Sequence, residues 1–174
     1  MVLAKQIIES MEQWAPPHYA ESWDNVGLMV GSKQRDVSKI ITTLDITPEV
    51  IEYAIVEQAQ MIISHHPFIF KGLKSLQLDS PQGTLIEKLI KNDIVVYSAH
   101  TNLDITIGGL NDMLANRLGL TNVRGFVPTG SDMVYKITTF VPTDTADAVR
   151  EAMASAGAGR IGNYESCSFS FAGE

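Results

Sequence analysis

Imidazole and carboxylate side chains recur at the ends of apolar segments in this 174-residue chain. Three of its four histidines stand at such ends, and two of them are neighbours. These side chains bind divalent ions such as Zn, Fe, Mn, Co or Ni, and they also transfer protons as general acids and bases. The candidate residues are Asp45, His65, His66, His100 and Asp104.

Three buried strands separated by helices are predicted to position these side chains. The runs KIITTL, AQMIIS and DIVVYSA are short, apolar and rich in β-branched residues, which is typical of buried parallel strands. Thr47-Pro48 and Ser80-Pro81 each place a capping residue before a proline, which predicts a helix start. Strands joined by helical crossovers are parallel, so we expect an α/β fold with a mostly parallel sheet and helices on both faces. The predicted elements are strands at 39–44, 59–64 and 93–99, a strand or loop–strand at 24–31, and helices at 3–13, 48–58, 81–91 and 108–118.

Ligands of such sheets bind beyond the carboxyl ends of the strands. Taken singly, a histidine there is more often a hydrogen-bonded structural residue, and Asp45 or Asp104 would most often form a turn. Their occurrence together at three strand ends favours a metal or acid–base site. Because successive side chains of a strand point in different directions, His65 and His66 are expected to serve two ions, with Asp104 or Asp45 bridging the ions or orienting a ligand.

A second structural unit is predicted after residue 132. Residues 121–132 are rich in Gly, Pro, Thr and Ser, which is typical of a linker. The pattern beyond them predicts a small α+β, ferredoxin-like unit with a strand at 133–142, a helix at 143–159 and a strand at 165–173. We therefore expect an incomplete α/β metal-centre domain at 1–128 and the beginning of a second domain at 129–174. Two strands and one helix make a poor core, so we expect the sequence to be the front part of a longer protein.

Composition excludes several classes of function. The chain has 13 basic and 20 acidic residues and a net charge of −7, which disfavours a nucleic-acid partner. No segment approaches the roughly 18 apolar residues of a membrane span, and no signal peptide is visible. Cys167 is the single cysteine, so we expect no disulfide, a buried structural thiol and a cytoplasmic location. The sequence does not identify a small-molecule ligand.

Three motifs in this order, ESWDNVGLMVG, SHHPFIF and AHTNLD, resemble the Nif-three-like dinuclear metal-centre family, whose members often carry the name GTP cyclohydrolase I type 2. The resemblance spans about residues 1–130, and residues 133–174 resemble the opening of a PII-like or CutA-like domain that longer members insert. It implies two divalent metal ions, with His65 and His66 each serving one and Asp104 as the carboxylate ligand. His100 is implied as a ligand or as a residue that orients a ligand or a bound water.

The resemblance also implies an assembly and a function. The implied assembly is a toroidal homo-hexamer whose metal sites face an internal cavity. The resemblance also implies a histidine and a glutamate ligand from a motif near the carboxyl terminus of family members. No histidine follows His100 here, so we expect weak metal binding or coordination completed by water. The implied function is a metal-dependent hydrolase, either GTP cyclohydrolase-like or a phosphoesterase. The alternatives are a non-catalytic metal-trafficking or regulatory protein, which the segment 133–174 favours, and a structural domain with solvated histidines.

Overall fold

The computed structural model describes residues 1–125, 134–161 and 164–173. The chain divides into two compact units, Met1–Ser131 and Asp132–Glu174. The first unit is a mixed α/β structure. Its strands are β1 (Val2–Leu3), β2 (Gly27–Val30), β3 (Asp36–Val37), β4 (Ile40–Thr43), β5 (Met61–Ser64) and β6 (Val95–Ser98). Its helices are α1 (Ala4–Trp14), α2 (Pro48–Val56), α3 (Pro81–Lys91), α4 (Thr101–Ile105) and α5 (Leu110–Arg117), with a 3₁₀ turn at Pro17–Tyr19.

The main sheet has four strands in the order β2-β6-β5-β4. Strands β4, β5 and β6 are parallel, and their last residues, Thr43, Ser64 and Ser98, are in register. Strand β2 lies antiparallel to β6 at the edge. The predicted mostly parallel sheet is therefore confirmed. The carboxyl ends of its three parallel strands lie level with one another. Strands β1 and β3 form a separate antiparallel pair.

The core lies on both faces of the sheet because successive strand residues alternate between the faces. Helix α1 covers one face, and helices α2 and α3 cover the other. The first cluster contains Ala4, Ile8, Val37, Met61, Val95, Tyr97 and Ala99. The second contains Val30, Ile51, Ala54, Ala59, Ile62, Leu89, Ile94 and Val96. Helices on both faces were predicted, and the two clusters confirm them.

The predicted caps are present at both helix starts. The Thr47 hydroxyl accepts a hydrogen bond from the Val50 amide at 3.3 Å, and the Ser80 hydroxyl accepts one from the Gly83 amide at 3.0 Å. Helix α4 was not predicted, because five residues are too few to show a helical period. In the part of the chain that the structure describes, no helix is long and apolar enough to cross a membrane.

The second unit contains helix α6 (Ala146–Ser155), preceded by a 3₁₀ turn at Thr143–Thr145. This agrees with the helix predicted at 143–159. The predicted strands are wrong for the described residues, since 134–142 and 164–173 form no strand. Alternating apolar residues form a strand only where a neighbouring strand completes their backbone hydrogen bonds. An isolated bridge joins Ile161 and Tyr164.

Two further predictions concern this region of the chain. Cys167 is exposed, so the predicted buried thiol is wrong; the strand that would have buried its side chain is not formed. The predicted domain boundary after residue 128 falls within 126–133, outside the described residues.

Tyr97 buries a phenolic hydroxyl that has no hydrogen-bond partner among the described residues. Burial, with a smaller contribution from the charge of Glu12, raises the pKa of Tyr97 to about 12. A buried donor without a partner costs about 1–3 kcal/mol. We therefore expect Tyr97→Phe to raise the free energy of unfolding by about 1 kcal/mol, measured by urea denaturation. Tyr53→Phe is the matched control, since Tyr53 is exposed. A less stable Tyr97→Phe variant would show that the hydroxyl is paired.

Candidate metal centre

The strand register brings the predicted residues to one edge of the sheet. Backbone pairing continues past the strands, where the His65 amide donates to the Thr43 carbonyl at 3.1 Å and the Ala99 amide donates to the Ser64 carbonyl at 3.0 Å. The residues that follow β4, β5 and β6 are thereby held side by side. His100, next to Ala99, is the last residue before α4.

Three imidazoles form a cluster at this edge. The ring centroids are 5.3 Å apart for His65 and His66, 5.1 Å for His65 and His100, and 5.6 Å for His66 and His100. One ring nitrogen of each residue lies within 4.8 Å of those of the other two. We call His65, His66 and His100 the imidazole cluster; it is a group that could hold a metal ion.

His65 has its tautomer fixed by the backbone. Its Nδ1 lies 2.9 Å from the Ala99 carbonyl oxygen, which can only accept, so Nδ1 carries a proton and the neutral ring offers its lone pair at Nε2. The Asp104 Oδ1 lies 3.7 Å from that Nε2. This separation is too long for a hydrogen bond and close to the roughly 3.4 Å expected between two ligand atoms on one tetrahedral ion.

His66 is oriented by Asp45, the residue predicted to bridge ions or orient a ligand. Nδ1 of His66 donates to Oδ1 of Asp45 at 2.7 Å. The His66 carbonyl accepts from the Ser64 hydroxyl at 2.8 Å. Ser98 in turn lies 2.8 Å from the Ser64 hydroxyl, so two buried serines support the backbone under this ring.

His100 is oriented by Asp24, which was not among the residues predicted to bind metal or to orient a ligand. Nδ1 of His100 donates to Oδ1 of Asp24 at 3.0 Å. The Asp24 carboxylate is fully buried and also accepts from the amides of Asn25 at 2.8 Å and Thr101 at 3.1 Å, and from the Thr101 hydroxyl. Burial opposes ionisation, but the hydrogen bonds from Thr101, His100 and Asn25 outweigh it and lower the pKa of Asp24 below its usual value. Asp24 is therefore a carboxylate at neutral pH.

Asp104 is carried by helix α4, whose start is anchored to the end of α1. The buried Asn102 side chain accepts from the His100 amide at 2.9 Å and donates to the Ala15 carbonyl at 2.7 Å. The Asp104 amide donates to the His100 carbonyl at 3.1 Å. Asp104 was predicted as a ligand, and this short helix is the element that places it near His65.

The three imidazoles share one arrangement. Each places Nδ1 against an acceptor, namely Ala99, Asp45 or Asp24, so that in the neutral ring the proton is on Nδ1 and the Nε2 lone pair is available to a metal ion. Histidines that bind metal in proteins almost always have such a partner, because it fixes the ring and raises the basicity of the ligand nitrogen. Three imidazole nitrogens and one carboxylate suit a divalent transition metal. The residues present therefore fit a metal centre.

Strand β5 ends at Ser64, so the alternation of strand side chains does not determine the directions of the His65 and His66 rings. One ring nitrogen of each of the three imidazoles lies within 4.8 Å of the others, a spacing that allows a single ion as well as two.

An open cleft of about 300 Å³ lies against His65. Aliphatic and hydroxyl side chains line most of it, which gives a largely apolar wall beside the centre. The lining residues are Thr42, Thr43, Leu44, His65, Leu103 and Leu110.

Known proteins with similar sequences cover almost the whole chain. A protein-family model described as Duf34/NIF3 (NGG1p interacting factor 3) matches residues 2–171. A "GTP cyclohydrolase 1 type 2 homolog" of Halalkalibacterium halodurans is 44% identical over 96% of this chain and 45% of its own length. The Bacillus subtilis protein of the same name is 44% identical over 99% of this chain and 46% of its own. The chain thus spans about half the length of these curated relatives.

Solved structures give the same assignment. A Bacillus cereus protein related to NIF3 is 40% identical, with a TM-score of 0.72 over 97% of this chain and 47% of that one. HcgD from Methanocaldococcus jannaschii is 36% identical, with a TM-score of 0.67 over 74% of this chain and 52% of that one. Sequence and fold agree that the chain belongs to the Duf34/NIF3 family.

Proposed function

We propose that the centre binds two divalent metal ions and that the protein is a metal-dependent hydrolase. One observation carries the proposal: three imidazoles with their Nδ1 protons engaged converge at one sheet edge, and the Asp104 carboxylate stands 3.7 Å from the Nε2 of one of them. His65 and His66 would each hold one ion, and Asp104 would supply the carboxylate ligand. His100 serves as a further ligand or orients a bound water.

The local charge supports two ions. Three carboxylates, Asp24, Asp45 and Asp104, contact the imidazole cluster. Two divalent ions would carry four positive charges against these three negative ones. The surplus charge would attract a hydroxide or a substrate anion, whereas a single ion would leave the centre negative.

The residues of the chain would each hold a fixed role in the reaction. Ions of this kind activate water as a nucleophile and polarise carbonyl or phosphoryl oxygens. Ala99, Asp45 and Asp24 hold the three rings in the tautomer that binds metal. The cleft beside His65 offers an apolar wall from Leu44 and Leu103, against which a substrate excludes water.

Hydrolysis by the metal-loaded protein tests the proposal. We expect turnover of GTP or of a phosphate monoester with Zn, Mn, Fe or Co, and none after chelation. GTP enters this panel because the curated relatives carry the name GTP cyclohydrolase 1 type 2 homolog. Full metal loading without turnover of any substrate would contradict the hydrolase and favour a non-catalytic metal-trafficking or regulatory protein.

We also propose a cellular location, an assembly state and a domain type for residues 129–174. The protein would act in the cytoplasm as a homo-oligomer, a hexamer in the family's manner. Residues 129–174 would begin a PII-like or CutA-like domain, for which helix α6 is the supporting element. Light scattering of the purified protein measures the assembly, and a monomer at micromolar concentration would contradict it.

A further inference from the structure

Two exposed aromatic side chains lie beside the imidazole cluster. Trp23 is 58% exposed and Phe70 is 45% exposed, although both are large and apolar. Their ring centroids are 6.1 Å apart at an interplanar angle of 59°. The Trp23 ring is also 6.2 Å from the ring of His100, at 75°. The centre therefore has an aromatic corner, formed by Trp23 and Phe70, in direct contact with one of its imidazoles.

Hydrogen bonds hold the two loops that carry this aromatic corner. Asp24, next to Trp23, binds His100 and Thr101. The Asn25 side chain donates to the Ile69 carbonyl, one residue before Phe70. The two loops that carry the exposed rings are thus tied to each other and to the cluster. A loop held in place before binding loses little conformational freedom when a ligand arrives.

We propose that Trp23 and Phe70 form the subsite for a planar heteroaromatic ring of the substrate. This inference rests on the proposed function, because it names the substrate class of the same centre. A ring stacked on either side chain presents its edge to the other, and both arrangements are favourable for aromatic groups. The contact between Trp23 and His100 brings the substituents of that ring within reach of the metal ligands. A phosphate or an electrophilic ring carbon would then lie at the centre.

The aromatic corner fits such a ligand better than an aliphatic one. Aromatic side chains bind any planar base through its π-face, with a loss of about 10- to 100-fold in affinity when one is truncated to alanine. The corner therefore selects for a ring, and the metal centre selects for the group that the ring carries. Trp23 and Phe70 act as positioning residues, since neither offers a metal ligand.

The affinity for matched phosphomonoesters, measured separately from any turnover of the same compounds, tests the subsite. GMP and AMP carry a planar ring, whereas ribose 5-phosphate carries the same sugar and phosphate without it. We expect Trp23→Ala in the zinc-loaded protein to weaken GMP and AMP about 10- to 100-fold by calorimetry and to leave ribose 5-phosphate unchanged. Trp23→Phe should restore most of the affinity, and Phe70→Leu should weaken GMP in the same direction. Trp14→Phe is the control, since Trp14 ends helix α1.

Four outcomes would overturn the subsite. The parent protein could bind GMP no more tightly than ribose 5-phosphate, or Trp23→Ala could leave GMP binding unchanged. The variant could also lose zinc, or lose affinity equally for both ligands, in which case Trp23 supports the centre and not the ring. Ring-dependent binding without hydrolysis would leave the subsite intact and contradict the hydrolase alone. Hydrolysis with ring-independent binding would support the hydrolase and contradict the subsite alone.

Discussion

Replacing His65 or His66 with alanine is expected to remove metal from the protein. Each substitution deletes one imidazole nitrogen from a set of three that lie within 4.8 Å. Loss of a residue that merely orients a ligand typically costs 10- to 100-fold in metal affinity, so loss of a ligand should cost about 100-fold or more. Metal content per chain, measured by mass spectrometry after dialysis against a buffered metal concentration, reports the change.

The two variants together count the ions. If His65 and His66 serve different ions, each variant keeps one ion per chain, and anomalous scattering locates the survivor beside the remaining histidine. If they share one ion, either variant loses all of the metal. His18→Ala is the control, because His18 lies outside the imidazole cluster. Unchanged metal content in both variants would contradict the centre and leave a structural role for these histidines.

Asp24→Asn is expected to weaken both the fold and the centre. The carboxylate accepts four hydrogen bonds, with two on each oxygen. An asparagine has one accepting oxygen, so its NH₂ group would face two donors. Hydrogen bonds to charged groups contribute about 1.5–3 kcal/mol, and we expect a loss of about 2–3 kcal/mol in the free energy of unfolding. Metal affinity should fall about 10- to 100-fold because His100 loses its partner.

The pH dependence of the free energy of unfolding distinguishes the loss of the Asp24 charge from general damage to the fold. The folded-state pKa of Asp24 lies below its usual 3.8, so the folded protein binds fewer protons than the unfolded chain between those two values. The contribution of Asp24 is therefore present above pH 3.8 and is lost as the pH falls through the lowered value. The stability gap between parent and Asp24→Asn should be full at neutral pH and should narrow in acid. Asp79→Asn, on an exposed loop, should show no gap.

Much of the α/β unit was predictable because its signals are local. The apolar runs and the Thr47-Pro48 and Ser80-Pro81 caps are each contained within a few residues. Parallel topology then follows from the crossovers, and it places the strand ends together. The proximity of His65 to His100 could therefore be expected from the sequence.

The parts that sequence reasoning missed depend on distant pairs. Asp24 meets His100 across 76 residues, and no local pattern marks that contact, although Asp24 lies within the motif ESWDNVGLMVG. Helix α4 is short and bounded by side-chain contacts to α1. The alternation at 134–142 lacks a neighbouring strand in the described residues, so a pattern suited to a strand does not form one.

The two contacts that orient His65 and His100 close chain segments of different length, which leads us to expect an order in their formation during folding. The contact between His65 and Ala99 closes 34 residues within one strand–helix–strand unit, whereas Asp24 reaches His100 across 76 residues and depends on β2 pairing with β6. The longer closure costs about 0.7 kcal/mol more chain entropy, so we expect the contact between His65 and Ala99 to form before the one between Asp24 and His100. Metal that meets the chain before the amino-terminal segment docks would then meet a His100 ring without its Asp24 partner. Docking of that segment is the step that we expect to orient the third imidazole.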